Sequence, residues 1–173
     1  VLGKNNYEEI RDKGFLLYLK KDFTNSLKFI EKAIKINNNE VFGLNIYGLL
    51  KIEDNKVNEA LELFKRAIGS NPVYSDSYNN AGKCYIDLEE LKIAFTCFKK
   101  AFRLNNNSDL ALLNIGNVLS LKDKNKLAIK FYQKAKKINK NNKLADNNIA
   151  ICQLRLKNID FSKGYFNKIK KLK

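Results

Sequence analysis

The sequence predicts an all-α fold, an α-solenoid in which about ten helices pack as stacked pairs. The main observation is that small residues and large aromatic residues recur every 34 positions. The repeated columns are Ala60, Ala94 and Ala128; Phe64, Phe98 and Tyr132; Ala67, Ala101 and Ala135; and Gly48, Gly82 and Gly116. A fixed period of this size indicates one helix–turn–helix unit copied along the chain, and not a globular domain around a single pocket.

The repeat frame divides the chain in order. Residues 1–6 are interpreted as the tail of a preceding segment or a linker, and residues 7–173 as one domain of five copies. The copies are 7–40, 41–74, 75–108, 109–142 and 143–173. Asparagine-rich breaks at 37–39, 71–72, 105–107 and 141–142 separate them, because asparagine side chains compete with the helix for backbone hydrogen bonds. Shorter turns are predicted near 53–55 and 157–158.

The fourth copy illustrates why each unit is predicted to hold two helices. Residues 109–121 carry apolar side chains on more than one face, which is typical of a helix between neighbours. Residues 126–138 have apolar side chains at the i, i+3, i+4, i+7 spacing, with lysines on the opposite side. The second pattern predicts an amphipathic helix with a solvated face. No segment shows the alternation of a β-strand.

The repeat resembles the tetratricopeptide repeat family, a helix–turn–helix of 34 residues. The resemblance rests on the pairs Tyr47-Gly48, Ala81-Gly82 and Ile115-Gly116, on the second-helix pattern Ala94, Phe98, Ala101, and on Pro72. It implies a right-handed α-solenoid whose first helices line a concave groove. The outer copies depart most from the family pattern, with Ser26 and Ile30 in the first and Asp146, Gln153 and Ser162 in the fifth. Such divergence is expected where terminal repeats face water.

The charge of the chain is strongly positive, with 33 Lys and Arg against 18 Asp and Glu. The excess is nearly all lysine, whereas arginine is the better ligand for phosphate and guanine. Many lysines are predicted on second helices, so we interpret the charge as a solvated outer surface and do not favour nucleic acid as a partner. The basic, amphipathic residues 163–173 could lie on an anionic membrane surface or bury an apolar edge under a capping helix, and we favour the second interpretation.

Several functional classes are not favoured by composition. The chain has no histidine and three scattered cysteines, so we expect no metal site, no cofactor and no catalysis. No run of about 18 apolar residues occurs, so no transmembrane helix is expected. Free cysteines favour the cytoplasm, with a processed chain of the cell envelope as the alternative. The absence of methionine suggests a processed chain or part of a longer protein.

Partner binding is predicted on the first helices. Asn80, Asn114 and Asn148 form a column with the 34-residue period, and an amide can hold the backbone of an extended peptide. This column resembles the asparagine ladder in the repeat groove of O-GlcNAc transferase. Other polar candidates on the same face are Asn45, Asn79, Lys83, Asn117 and Arg155. Apolar anchors are predicted nearer the N-terminus, at Phe15, Tyr18 and Phe42.

The function predicted from these features is a non-catalytic scaffold that binds an extended peptide or helix of a protein partner. One alternative is the substrate-selecting region of a longer enzyme, such as a glycosyltransferase. Another is a structural subunit of a large envelope or motor assembly. Contact with a membrane surface and self-association stay open, and codon bias is a competing explanation for both the lysines and the asparagines.

Overall fold

The computed structural model describes the backbone of residues 2–170 and the side chains of residues 7–157. Every regular element in that range is a helix, which confirms the all-α prediction. The helices are α1 (Leu2–Leu19), α2 (Phe23–Ile36), α3 (Val41–Glu53), α4 (Val57–Ser70), α5 (Ser75–Asp87), α6 (Leu91–Leu104), α7 (Asp109–Leu121), α8 (Asn125–Ile138) and α9 (Lys143–Lys170). The residues assigned to a preceding segment, from Leu2 onward, belong to α1.

The chain divides into two compact units, residues 1–104 and residues 105–173. In the first unit the helices pair as α1 with α2, α3 with α4, and α5 with α6. The first helices of successive pairs also contact one another, α1 with α3 and α3 with α5. In the second unit α7 pairs with α8, and α9 contacts both. Each unit therefore contains a layer in which first helices meet.

The repeated small and aromatic residues fill the space between paired helices, as the period predicts. In the described residues, every alanine of the two second-helix columns is fully buried, and Phe64, Phe98 and Tyr132 are at most 1% exposed. The first copy uses Ser26 and Ile30 at the same repeat positions, and both are fully buried. The hydroxyl of Ser26 donates to the carbonyl of Gly14 at 2.7 Å, which makes the polar substitution compatible with burial.

The turns inside the first four copies share one backbone feature. Lys21, Asn55, Glu89 and Asp123 all have φ between 55° and 61°, the left-handed region. The breaks between copies also repeat: the N–H groups of Asn37, Asn71 and Asn139 donate to the carbonyls of the alanines four residues earlier. The asparagine-rich breaks therefore coincide with helix ends, as predicted.

The fifth copy differs from the prediction. The turn expected near 157–158 is wrong, because α9 continues as one helix from Lys143 to Lys170. The described chain therefore has nine helices, close to the ten expected. Local chemistry does not force a break, since 143–170 contains no proline and its one glycine costs only about 1 kcal/mol in a helix. In the other copies the turn is stabilised by packing of the second helix on the first.

The lysines of the second helices and the three cysteines differ in burial. The second-helix lysines Lys28, Lys32, Lys35, Lys65, Lys99, Lys100, Lys130 and Lys134 are all exposed, as expected. Cys84 and Cys152 are buried, Cys97 is half-buried, and all three are free thiols. The basic segment 163–173 lies outside the residues whose side chains are described. Among the described helices, none combines the length and apolar composition that crossing a membrane requires.

Candidate functional site

The side chains predicted to bind a partner lie on first helices of the pairs and on α9. In the first unit they are Phe15 and Tyr18 on α1, Phe42 and Asn45 on α3, and Asn79, Asn80 and Lys83 on α5. In the second unit they are Asn114 and Asn117 on α7, and Asn148 and Arg155 on α9. Each unit therefore presents its own set of candidates.

The aromatic candidates of the first unit pack together. The rings of Phe15 and Phe42 meet edge to face with centroids 5.0 Å apart. The ring of Tyr18 lies 5.6 Å from that of Phe23, and burial raises the pKa of Tyr18. Phe15, Tyr18 and Phe42 are half-buried around a core of Ile30, Ile46 and Leu50. They form the edge of this core and expose part of each ring.

A cluster that the sequence did not indicate joins α1 to the start of α3. The carboxylate of Glu40 accepts hydrogen bonds from the N–H of Phe42 at 3.1 Å and of Gly43 at 2.6 Å, and so caps α3. The same carboxylate accepts a hydrogen bond from the Tyr7 hydroxyl. The pKa of Tyr7 is raised, mainly by burial and secondly by this hydrogen bond. The guanidinium of Arg11 pairs with Glu40 at 3.5 Å and lies 5.3 Å from the Phe42 ring centre. This arrangement fixes the position of Phe42.

Asn45 connects α3 to α5. It is 4% exposed, and its amide nitrogen donates to the carbonyl of Val41 at 2.8 Å and to the hydroxyl of Ser77 at 2.7 Å. Its oxygen accepts a hydrogen bond of 3.1 Å from the amide of Asn80. Three bonds therefore satisfy most of the hydrogen-bonding capacity of this buried amide.

The other α5 candidates divide by burial. Asn79 is 4% exposed, whereas Asn80 and Lys83 are half-buried and reach the surface of the first-helix layer. Asn114, on α7 of the second unit, is 6% exposed. Asn80 and Lys83 are therefore the polar candidates of the first unit that a partner could contact without rearrangement.

In the second unit, Asn117 connects three helices. Its oxygen accepts from the hydroxyl of Tyr132 on α8 and from the amide of Asn148 on α9, both at 2.9 Å. Burial raises the pKa of Tyr132 to about 12, which keeps the hydroxyl protonated and able to donate. The asparagines and the tyrosine thus form a polar network between the three helices.

Arg155 lies next to this network. Its guanidinium donates to the hydroxyl of Ser120 at 3.0 Å. The same hydroxyl lies 3.4 Å from the oxygen of Asn125 and 3.4 Å from the sulfur of Cys152. Arg155 itself is exposed, so its remaining N–H groups face the surface of α9.

Two of the repeat copies match a known protein family. A sequence profile described as a tetratricopeptide repeat matches residues 75–108 and 110–142. These ranges coincide with the third copy and almost all of the fourth copy in the frame derived above. These two copies are tetratricopeptide repeats. A comparison with curated proteins finds no match.

Solved structures with the same fold extend over nearly the whole chain. A crystal structure of MamA protein is 23% identical, with a TM-score of 0.73 over 96% of this chain and 89% of that one. PilF of Pseudomonas aeruginosa is 14% identical, with a TM-score of 0.82 over 95% and 75%. A thermophilic tetratricopeptide repeat protein of Thermus thermophilus is 21% identical, with a TM-score of 0.78 over 94% and 89%. At these identities the likeness concerns the fold.

Two members of the repeated asparagine column bond in a similar way. Asn80 and Asn148 occupy the same repeat position, and each donates its amide N–H to an asparagine oxygen on the preceding first helix of its unit. The periodicity of the sequence predicted the column, but not these bonds. The signal that could have found them is the presence of Asn45 and Asn117 on the preceding first helix of each unit.

Proposed function

We propose that this chain is a non-catalytic protein-interaction scaffold that binds an extended peptide or helix of a protein partner on its first-helix layer. The observation that carries the proposal is the tetratricopeptide repeat fold, in which α1, α3 and α5 meet in one layer and present polar amides and aromatic edges together. Peptide recognition by such surfaces combines backbone hydrogen bonds with a few apolar anchors.

The asparagines supply the backbone contacts in this proposal. An amide offers two N–H donors and an acceptor oxygen, more than the single bond that Asn80 donates to Asn45. The same holds for Asn148 on α9, and its bond to Asn117 fixes the orientation of the amide. A fixed amide loses less conformational freedom when a peptide binds, which favours affinity. In the first unit, Asn45 and Asn79 lie beneath the exposed side chains, and Lys83 adds charge at the surface. In the second unit, Asn114 and Asn117 have the supporting role and Arg155 adds the charge.

The aromatic edge supplies the anchors. Phe15, Tyr18 and Phe42 each expose part of a ring, and Arg11 and Glu40 hold Phe42 in place. A bulky apolar side chain of the partner would cover these exposed ring edges. We assign the cytoplasm as the compartment on the strength of the three free thiols.

The test is affinity capture of the partner with the wild type and with an Asn80/Asn114/Asn148→Ala triple variant. A matched control, Asn58/Asn106/Asn147→Ala, removes three exposed asparagines elsewhere. The proposal predicts that the triple variant loses most of the captured partner and that the control does not. Equal recovery from all three proteins would eliminate the asparagine column as a binding surface.

Stability must be measured alongside, because Asn80 and Asn148 also bond to neighbouring helices, and Asn114 is buried, with 6% of its surface exposed. Thermal unfolding followed by circular dichroism identifies the temperature range in which all variants are folded, and capture is done there. Lys83→Glu is a second variant that breaks no described bond, and it should lower capture as well. Undiminished capture by a folded Lys83→Glu variant would contradict a binding role for this face.

A further inference from the structure

A separate cavity lies on α5 and α6, with a volume of 330 Å³. Its lining consists of Tyr78 from α5 and six residues of α6: Phe95, Thr96, Cys97, Lys99, Lys100 and Arg103. Six of the seven lining residues lie on α6, the second helix of its pair, so the cavity is mainly a feature of that helix. None of the predicted binding residues lines it.

The cavity has an apolar wall and a cationic rim. Tyr78, Phe95 and Cys97 are half-buried and form the wall, while Lys99, Lys100 and Arg103 are exposed. The Lys99 ammonium lies 5.7 Å from the centre of the Phe95 ring. None of the seven lining residues is acidic. Within the part of the chain whose side chains are described, the ion pairs involve other residues, so these three cations face solvent without a carboxylate.

The apolar wall and the cationic rim restrict which ligands the cavity can bind. A volume of 330 Å³ is at the lower end of ligand pockets and is enough for one bulky side chain or a small ligand. The aromatic wall favours an apolar group, and the three cations favour carboxylates on either side of it. A nucleic acid would need a longer basic track and stacked bases, and neither the wall nor the short rim provides that.

We propose that this cavity, defined by Tyr78, Phe95, Cys97, Lys99, Lys100 and Arg103, binds an acidic peptide segment by enclosing one of its bulky apolar side chains. The flanking aspartates or glutamates pair with the rim cations. The overall charge of +15 raises the rate at which an acidic segment approaches. The cavity is thus a second docking surface, formed mainly by the second helix α6, with Tyr78 contributed by α5.

The structure provides a matched control for the rim charges. Lys134 and Lys137 on α8 occupy the same repeat positions as Lys100 and Arg103, one repeat later, and they are exposed but do not line the cavity. Lys100→Glu/Arg103→Glu and Lys134→Glu/Lys137→Glu therefore change the net charge equally, at equivalent positions. Only the first pair alters the cavity.

The binding experiment uses fluorescence anisotropy with a labelled peptide in which one phenylalanine is flanked by aspartates and glutamates. A second peptide, with alanine in place of the phenylalanine, tests the apolar wall. We expect the cavity variant to weaken binding of the phenylalanine peptide about tenfold or more, and the control variant to have a much smaller effect. The alanine peptide should bind the wild type more weakly than the phenylalanine peptide.

Cys97 reports the location of the bound peptide. It is the one half-buried thiol of the three, since Cys84 and Cys152 are buried. Burial raises the pKa of the Cys97 thiol, so labelling by a maleimide is slow but measurable. Saturating phenylalanine peptide should slow the labelling of Cys97 severalfold, and the alanine peptide should slow it less.

Three results would overturn the proposal. They are equal loss of binding in the two charge variants, equal affinity for the two peptides, and unchanged labelling of Cys97. Binding to vesicles of phosphatidylglycerol with no binding to the peptide would assign the rim to a membrane surface instead. None of these results bears on the first-helix proposal, because the substitutions at Asn80, Asn114 and Asn148 do not touch this cavity.

Discussion

The amide of Asn80 donates a hydrogen bond of 3.1 Å to the amide oxygen of Asn45, which lies 35 residues earlier on the neighbouring first helix. In the second unit Asn148 donates to Asn117 at 2.9 Å, a similar bond whose acceptor lies 31 residues earlier. A residue that sequence periodicity marks as a binding candidate therefore also links adjacent repeats. Because a repeat array derives its stability from such neighbour interfaces, these amides affect stability and recognition together.

The first prediction concerns Asn45→Ala. The substitution leaves the buried Ser77 hydroxyl and the Asn80 amide without their partner, and an unsatisfied buried polar group costs about 1–3 kcal/mol. We expect the free energy of unfolding, from a urea titration followed by circular dichroism, to fall by about that amount. Asn58→Ala, at an exposed position on α4, should change it by about 0.5 kcal/mol or less. Equal effects of the two substitutions would mean that the Asn45 bonds add nothing to stability.

The second prediction concerns the contact between Gly82 and Phe98. A Cβ atom at position 82 would lie 2.6 Å from the Phe98 ring, closer than carbon atoms pack. Gly82→Ala should therefore destabilise the protein by about 1–3 kcal/mol, because the ring must shift within a filled core.

Gly69→Ala is the matched control for this prediction. Nothing lies within 4 Å of a Cβ atom at position 69, and the residue is exposed on α4. Alanine should stabilise the helix there by up to about 1 kcal/mol. The two substitutions should therefore shift the unfolding temperature in opposite directions, and a shift in the same direction would contradict the close packing of Gly82 on Phe98.

Much of the fold could be predicted because packing positions repeat. The 34-residue period identifies Ala94, Phe98 and Gly82 as residues between paired helices, and all are buried in the structure. The same frame has a glycine at position 14 in the first copy, where a Cβ atom would lie 2.7 Å from Ile30. Steric contacts of this kind depend on residue size, and residue size follows directly from the amino-acid type. They can therefore be predicted from the sequence.

Features that depend on hydrogen-bond direction were not predictable in the same way. The link that Glu40 makes to α1 depends on the position of the Tyr7 hydroxyl, and Tyr7 lies 33 residues earlier in the chain. The bonds of Asn45 need Ser77 and Asn80 at a particular distance and angle. The unbroken α9 is a third case, since the residues near 157 resemble those of turns that do form. The binding role of the asparagine column stays a prediction.

The third prediction concerns the turn residue Glu89. Its φ is 61°, in the left-handed region that costs a non-glycine residue about 1–2 kcal/mol. Glu89→Gly removes this cost but adds backbone freedom to the unfolded chain, so we expect a net gain of a few tenths to about 1 kcal/mol. Lys32→Gly, in the exposed interior of α2, should lose about 1 kcal/mol. Urea titrations of the two variants would show whether the gain is specific to the turn.

The fourth prediction concerns pH and Tyr132. Its pKa is about 12 in the folded protein and 10 when unperturbed, because burial disfavours the ionised ring. Between pH 10 and pH 12 the unfolded state releases a proton that the folded state retains, so stability falls as pH rises. For this residue the slope is at most about 1.4 kcal/mol per pH unit, and the loss becomes negligible about one pH unit below the unperturbed pKa of 10.

Tyr132→Phe isolates this contribution. The variant lacks the hydroxyl that donates to Asn117, so it should be less stable than the wild type below pH 10 by about 1 kcal/mol. Its stability should then decline less steeply than that of the wild type between pH 10 and pH 12, as measured by urea unfolding. Parallel declines would show that the Tyr132 hydroxyl titrates normally in the folded protein.

The central claim is that a protein partner binds the first-helix layer, and site-specific photocrosslinking tests it most directly. A photoreactive phenylalanine derivative is placed at Lys83 on α5, or at the exposed Lys32 on the second helix α2, in otherwise identical proteins. We predict that irradiation yields one discrete crosslinked partner from position 83 and none from position 32. Crosslinking of the same partner with equal yield from both positions, or from position 32 alone, would contradict the claim.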